Sequence, residues 1–137
     1  MSNTVIDLKD VYEKALEIAD RYPNVIYCRG SEEGCKYTRP SVQVSDKTIS
    51  GCIVGVALQE SYPDILPTLQ KIDSHDVSVN SHSLFDILEN TYSYIIQNLE
   101  YGILLQKLQG YQDQGISDWG LCKLSLLKYI ENNPDWR

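Results

Sequence analysis

Hydrophobic residues near the N-terminus recur at intervals of three and four, which is the spacing of one face of an α-helix. Seven residues share this face: Leu8, Val11, Tyr12, Ala15, Ile18, Ala19 and Tyr22. Lysine, aspartate and glutamate occupy the other face, as on a helix surface exposed to water. Thr4 and Asp7 resemble a capping pair, and Pro23 is expected to end the helix. The pattern predicts an amphipathic helix as the first main element.

Two short apolar runs follow, at residues 24–28 and 35–38, and the loop sequence RGSEEG separates them. Two such runs joined by a glycine-containing loop predict an antiparallel β-hairpin. Pro40 interrupts the predicted hairpin. Residues 41–48 then alternate between apolar and polar positions, which favours an edge strand or an ordered loop.

The rest of the chain reads as helices. Five are predicted: one from Gly51 to about Glu60 capped by Ser50, short ones within 64–72 and 84–90, one after Asn98 that buries Leu99, Ile103, Leu104, Leu105 and Leu108, and a last one capped by Ser117. The polar stretch 73–83 is expected to be a mobile loop. Together these elements predict a single helix-dominated α+β domain over residues 1–137, with a small antiparallel β-hairpin or sheet.

Composition and charge narrow the function classes. The 137 residues are 42% hydrophobic and 23% charged, which is typical of one globular domain. The formal net charge is −7 and the twelve lysines and arginines are scattered, which disfavours direct nucleic-acid binding and favours a basic partner. Ten tyrosines and two tryptophans favour self-association. Neither a secretory signal peptide nor a membrane span is expected, so the four cysteines should be reduced inside the cell.

A metal site is the first chemical candidate. Cys28, Cys35 and Cys52, with His75 and His82, supply the ligand types that zinc prefers. None of their spacings is the two- to four-residue knuckle of structural zinc sites. Buried, unreactive cysteines explain the pattern better, and we expect no metal and no cofactor.

A cysteine enzyme is the second candidate. Cys52 lies near a predicted helix N-terminus, where the helix dipole favours a thiolate. A nucleophile also requires a base and an orienting group, and the histidines lie in the predicted loop with nothing to tie them to Cys52. A cysteine-dependent hydrolase or transferase is therefore the weakest of three functional hypotheses, and we expect a protein that is not an enzyme.

An anion site is the third candidate. Glycines 51 and 55 flank Cys52 at a predicted strand-to-helix junction, where backbone N–H groups can bind phosphate. Lys36, Arg39 and Lys47 lie upstream and would add positive charge. This arrangement predicts a sponge or sensor for a small, nucleotide-like phosphorylated ligand. The alternative is close packing, in which the two glycines let another segment approach the helix and Cys52 is buried.

Three motifs resemble those of a group of small phage and prophage proteins. They read CKYT, with Cys35 and Tyr37; GCIVGVAL, with Gly51, Cys52 and Gly55; and YQDQGISDW, with Gln112, Asp113, Gly115 and Trp119. The tryptophan lies one residue later than in the usual spacing of the group.

The resemblance implies a bacterial virus as the source and the cytoplasm of the bacterial host as the location. By analogy of setting, it implies a non-enzymatic accessory protein that binds and blocks a host protein or a defence component. The small-molecule sponge and the cysteine enzyme remain the alternatives. The sequence predicts no direct contact with nucleic acid or membrane.

Overall fold

The computed structural model describes residues 4–25, 40–44, 47–50, 52–73, 81–113 and 118–136. Helices dominate these ranges. The elements are β1 (Val5–Asp7), α1 (Leu8–Arg21), β2 (Pro40–Val44), β3 (Lys47–Ser50), α2 (Ile53–Ser61), a short 3-10 turn (Pro63–Ile65), α3 (Leu66–Asp73), α4 (Ser81–Asn90), β4 (Ile95–Gln97), α5 (Tyr101–Asp113) and α6 (Trp119–Asn132). The predicted helix-dominated α+β class is confirmed.

The β-structure differs from the expected hairpin. Strands β1 and β4 pair in parallel, with Ile6 beside Ile96 and Val5 beside Ile95. The side chains alternate along both strands, so the Ile6–Ile96 pair is buried while Val5 and Ile95 are 40% and 45% exposed. The expectation of antiparallel β-structure alone is therefore wrong, because this short parallel pair joins segments about ninety residues apart in the chain.

The described residues also include one antiparallel pair. Strand β2 pairs with β3 in antiparallel register, so the stretch 41–48 forms two strands and not one. The hairpin predicted over 24–38 lies outside the described residues, apart from a turn and irregular chain at 24–25.

Helix α1 carries the predicted apolar stripe. Its buried residues are Leu8, Val11, Ala15, Ile18 and Ala19. Thr4 does not take part in the cap, because the residues between Thr4 and the helix form β1. Asp7 caps the helix alone, and its carboxylate accepts a hydrogen bond from the Lys9 N–H at 2.9 Å. The helix ends at Arg21, just before Pro23, as predicted.

The caps of two other helices also differ from the predictions. Ser50 is the last residue of β3, and Cys52 caps α2. At α6 the cap is Asp118, whose carboxylate accepts from the Leu121 N–H at 2.9 Å, and the predicted cap Ser117 lies outside the described residues. Helix α4 begins at Ser81, so the last part of the expected loop 73–83 is helical.

The core lies between the helices. Helix α2 is buried from Ile53 to Leu58 and packs chiefly against α1. Helix α5 contacts α1, α2, α4 and α6. It begins at Tyr101, and the expected core residues Leu99 and Ile103 are instead 60% and 42% exposed. Among the described residues, no helix combines the length and the apolar character that crossing a membrane requires.

The start of α6 is fixed against the end of α1. The Trp119 N–H donates to the Val25 carbonyl at 2.8 Å, and the Gly120 N–H donates to the Pro23 carbonyl at 2.9 Å. A Cβ atom on Gly120 would lie 3.0 Å from both the Pro23 carbonyl oxygen and the Pro23 Cβ. Glycine is therefore the residue that lets α6 approach the chain this closely.

Candidate functional site

The start of α2, which the sequence singled out, is closed by its own side chain. Cys52 has extended backbone geometry, and its sulfur accepts a hydrogen bond from the Gly55 N–H at 3.4 Å. The Cys52 carbonyl accepts from the Val56 N–H at 2.8 Å. Cys52 is fully buried, so the expectation of a buried cysteine is confirmed.

Gln112 of α5 completes this arrangement. Its side-chain oxygen accepts hydrogen bonds from the Ile53 N–H at 2.7 Å and from the Trp119 indole N–H at 3.2 Å. Gln112 and Trp119 are both fully buried. One amide oxygen therefore links the starts of α2 and α6 to the end of α5. Members of two motifs that lie about sixty residues apart in the sequence meet at this point.

These contacts bear on the anion-site hypothesis. The N–H groups of Ile53 and Gly55, which a phosphate would use at this helix start, already donate to protein acceptors. Such bonds satisfy the groups that a helix N-terminus leaves without a partner inside the helix. The geometry therefore favours the packing interpretation for Cys52 and Gly55.

Several predicted site residues cannot be placed. Lys36, Arg39 and Gly51 lie outside the described residues, and of Lys47 only the backbone is described, in β3. Among the motif residues, Cys35, Tyr37 and Gly115 also lie outside, while Asp113 is the last residue of α5. The ligand-site hypothesis that depends on them stays a prediction.

The catalytic and metal candidates lie only partly within the described part of the chain. There, no group of three or more histidine, cysteine, aspartate or glutamate residues is arranged to hold a metal ion. Cys28 and His75 lie outside the described residues, and His82 is in the first turn of α4. The buried sulfur of Cys52 would reach a substrate only if the start of α2 opened.

The surface offers a different candidate, a shallow groove along α1 and the end of α2 that encloses about 470 Å³. Its lining is mostly acidic and consists of Asp10, Glu13, Lys14, Glu17, Glu60, Ser61 and Tyr62. We call it the acidic groove. The spacing of its α1 members follows from helix geometry, since residues three and four apart share one face.

Two cations at the groove are already paired. The Lys14 ammonium lies 3.2 Å from Glu17, and the Arg21 guanidinium lies 2.7 Å from Glu17 and 3.0 Å from Glu60. The hydrogen bond from Lys14, together with that from Arg21, lowers the pKa of Glu17. The same ion pairs, to Glu60 first and then Glu17, raise the pKa of Arg21. In the described structure, Asp10 and Glu13 form no ion pair and leave their negative charge at the groove surface.

A second cleft continues from the acidic groove. It encloses about 290 Å³, shares Ser61 and Tyr62 with the groove, and is lined further by Thr4, Pro63, Asp64, Ile65 and Tyr94. The Tyr62 hydroxyl accepts from the Asp7 N–H at 2.9 Å, and the Tyr94 hydroxyl is hydrogen-bonded to Thr68 at 3.2 Å. Both rings are thereby held in place. We call this cleft the tyrosine pocket.

Sequence reasoning identified the charged face of α1 but treated it as an ordinary solvated surface. Glu60 and Tyr62 belong to the end of another helix, and no spacing in the sequence brings them to Glu17. The abundance of tyrosine was the available signal, since a phenol with a fixed hydroxyl suits a recognition surface.

Comparisons with known proteins add nothing to this geometry. No protein-family model matches the chain, and neither the curated proteins nor the solved structures include a significant match.

Proposed function

We propose that the protein acts by binding and blocking a bacterial host protein or defence component, and that it does so as a phage-encoded accessory factor without enzymatic activity. The observation that supports this proposal is the acidic groove, which continues into the tyrosine pocket. The resemblance of the three sequence motifs to phage and prophage proteins supplies the setting, the cytoplasm of the bacterial host.

The shape and charge of the groove suit a protein partner. Four carboxylates line it, and only Glu17 and Glu60 are engaged by Arg21. The chain as a whole carries a net charge of −7, so its field attracts a basic surface from a distance. Complementary charge at an interface raises the association rate and fixes the register of the partners.

The tyrosine pocket would supply the anchor. Tyr62 and Tyr94 present apolar ring surface beside the Asp64 carboxylate. A lysine or arginine side chain can pack its methylene groups on such rings and place its cation near the carboxylate. We therefore expect the partner to present basic residues on a loop or an extended segment.

A charge reversal in the groove tests the proposal. Glu13→Lys changes an exposed carboxylate that has no ion pair in the described structure. We expect it to weaken the complex with the partner by about tenfold or more, because a lysine would then face the basic surface. Glu89→Lys makes the same substitution on α4, away from the groove, and should leave the affinity unchanged.

The measurement has two steps. Native mass spectrometry of the protein captured from host cells identifies what is bound and its stoichiometry. The affinity of the purified partner for the two variants is then measured at low and high salt. Equal loss with both variants, or no loss with Glu13→Lys, would overturn the groove as the binding surface. A bound mass of a few hundred daltons in place of a protein would favour the small-molecule sponge.

A further inference from the structure

A second surface, formed by α5 and α6, carries most of the exposed apolar side chains. Seven large aliphatic side chains among the described residues are 39% or more exposed. Five of them belong to these two helices or to the residues just before α5: Leu99, Ile103, Leu121, Leu124 and Leu127. The other two, Val5 and Ile95, are neighbours on the β1–β4 pair.

The three leucines of α6 lie opposite its buried side. The helix buries Trp119, Cys122 and Leu126, so leucines at 121, 124 and 127 project away from the core. Their outward position explains why apolar residues recur around most of α6. A helix that is apolar on both sides is usually covered on both sides.

Helix α5 adds a depression on its own exposed side. Gly110 lies on its exposed side, and a Cβ atom placed there would meet nothing within 4 Å. The depression encloses about 390 Å³ and is walled by Ile103, Gln106, Lys107 and Tyr111. The Lys107 ammonium lies 4.6 Å from the centre of the Tyr129 ring of α6, which places the two helices side by side at this surface.

We propose that this α5–α6 face binds a second copy of the chain. In a twofold-symmetric dimer the same surface of both copies forms the interface. A projection on each copy can then enter the hollow on the other copy. Here a leucine of α6 would enter the Gly110 depression of the second copy, and the reverse contact would follow by symmetry. The product would be a four-helix layer, an arrangement in which paired helices bury apolar faces against each other.

The exposed area and the charge both fit a dimer. The five aliphatic side chains expose roughly 500 Å² together, and a standard interface buries about 800 Å² per partner, of which about 60% is apolar. Together with Glu100 just before α5 and the cap Asp118, helices α5 and α6 carry three lysines against four acidic residues, a net charge of −1. The net charge of −7 is therefore concentrated elsewhere, and like-charge repulsion at this face is small.

The oligomeric state is the direct test. Sedimentation equilibrium should give twice the chain mass of 15.6 kDa for the wild type. Leu124→Glu should raise the dimer dissociation constant about tenfold or more, because a carboxylate would be buried at the centre of the interface. Ile95→Glu replaces an aliphatic residue outside the face that is 45% exposed, against 62% for Leu124, and should leave the dimer intact.

Gly110→Gln separates dimerisation from folding. The substitution enters open space and removes a helical glycine, so the monomer should unfold at a higher temperature. The added side chain fills the depression, so the dimer should weaken at the same time.

Three outcomes would overturn the proposal. A wild type that is monomeric at all concentrations would do so. A dimer that is insensitive to both Leu124→Glu and Gly110→Gln would place the interface elsewhere. A monomer that loses a host protein on Leu124→Glu would assign the face to that protein. None of these depends on the acidic groove, so this proposal and the proposed function can fail separately.

Discussion

Gln112 is the clearest case of a residue whose role comes from tertiary contacts. A buried glutamine is costly unless its polar atoms are hydrogen-bonded. Here the side-chain oxygen accepts from the Ile53 N–H and the Trp119 indole, two donors that would otherwise be buried without these bonds. Gln112 therefore joins the starts of α2 and α6 through a single amide oxygen, and in this way residues of two sequence motifs stabilise the fold.

Replacing Gln112 should be far more costly than replacing an exposed glutamine of the same helix. We expect Gln112→Ala to lower the free energy of unfolding by about 3 kcal/mol, because two buried donors lose their acceptor and a cavity remains. Gln106→Ala, on the exposed side of α5, should change it by less than about 0.5 kcal/mol. Urea denaturation of both variants measures the difference, and equal effects would contradict this role.

Glu17 is a second residue with an environment that can be measured. Lys14 and Arg21 both donate to its carboxylate and lower its pKa. We expect Lys14→Gln and Arg21→Gln each to raise the pKa of Glu17, because each removes a hydrogen bond to its carboxylate. An NMR titration of the side-chain carboxyl carbon of Glu17 gives the pKa directly. An unchanged pKa in both variants would contradict the two ion pairs at Glu17.

The same lowered pKa sets the direction of a pH effect. The contribution of Glu17 to stability is present above its ordinary pKa of 4.5 and is lost as the pH falls through the lower value in the folded protein. The free energy of unfolding of Lys14→Gln should therefore fall less steeply below pH 4.5 than that of the wild type. Denaturation at several pH values would show this.

At the scale of elements, the glycines of α5 and α6 play opposite parts. Gly110 faces open space, whereas Gly120 lies against the Pro23 backbone. Both look alike in the sequence, since each is a glycine within a helical pattern. Their environments differ because α6 packs at Gly120 against the chain that follows α1, and this packing is a tertiary contact.

A matched pair of alanine substitutions tests this contrast. Gly110→Ala should raise the free energy of unfolding by up to about 1 kcal/mol, the usual gain for replacing an exposed helical glycine. Gly120→Ala should lower it by about 1–2 kcal/mol, because its Cβ would press on the Pro23 carbonyl oxygen. Thermal unfolding of the two variants is sufficient, and the same sign for both would contradict the packing described at Pro23.

The helix caps show what the local sequence pattern predicts correctly and what it does not. The sequence indicated each helix but assigned the caps of α1, α2 and α6 to Thr4, Ser50 and Ser117. In the structure Asp7, Cys52 and Asp118 occupy these positions. Thr4 leads into β1, which pairs with the distant β4, and Ser50 belongs to β3, which pairs with the nearby β2. Strand pairing therefore displaces both predicted caps.

At the scale of the whole molecule, charge and apolar surface are separated. The acidic groove lies on α1 and the end of α2, and the α5–α6 face carries exposed aliphatic residues with nearly balanced charge. A protein with two such surfaces can self-associate through one while binding a basic partner through the other.

The separation predicts independent effects. Glu13→Lys should weaken partner binding and leave the dimer dissociation constant unchanged. Leu124→Glu should raise the dimer dissociation constant and leave the affinity of a single chain for the partner unchanged. Sedimentation and affinity measurements on both variants, at two salt concentrations, test this. Partner binding should weaken with salt, whereas the apolar dimer should not. Loss of both dimerisation and partner binding in either variant would show that the two surfaces are coupled.

The sequence alone determined the helix-dominated α+β class, the apolar stripe of α1 and the burial of Cys52, because these follow from periodicity and composition over a few turns of chain. It did not determine the parallel β1–β4 pair, the acceptor role of Gln112 or the groove that the α1 carboxylates form with Glu60 and Tyr62. Each of these joins residues that are far apart in the chain. Their approach depends on how whole helices pack, and only the tertiary structure decides that.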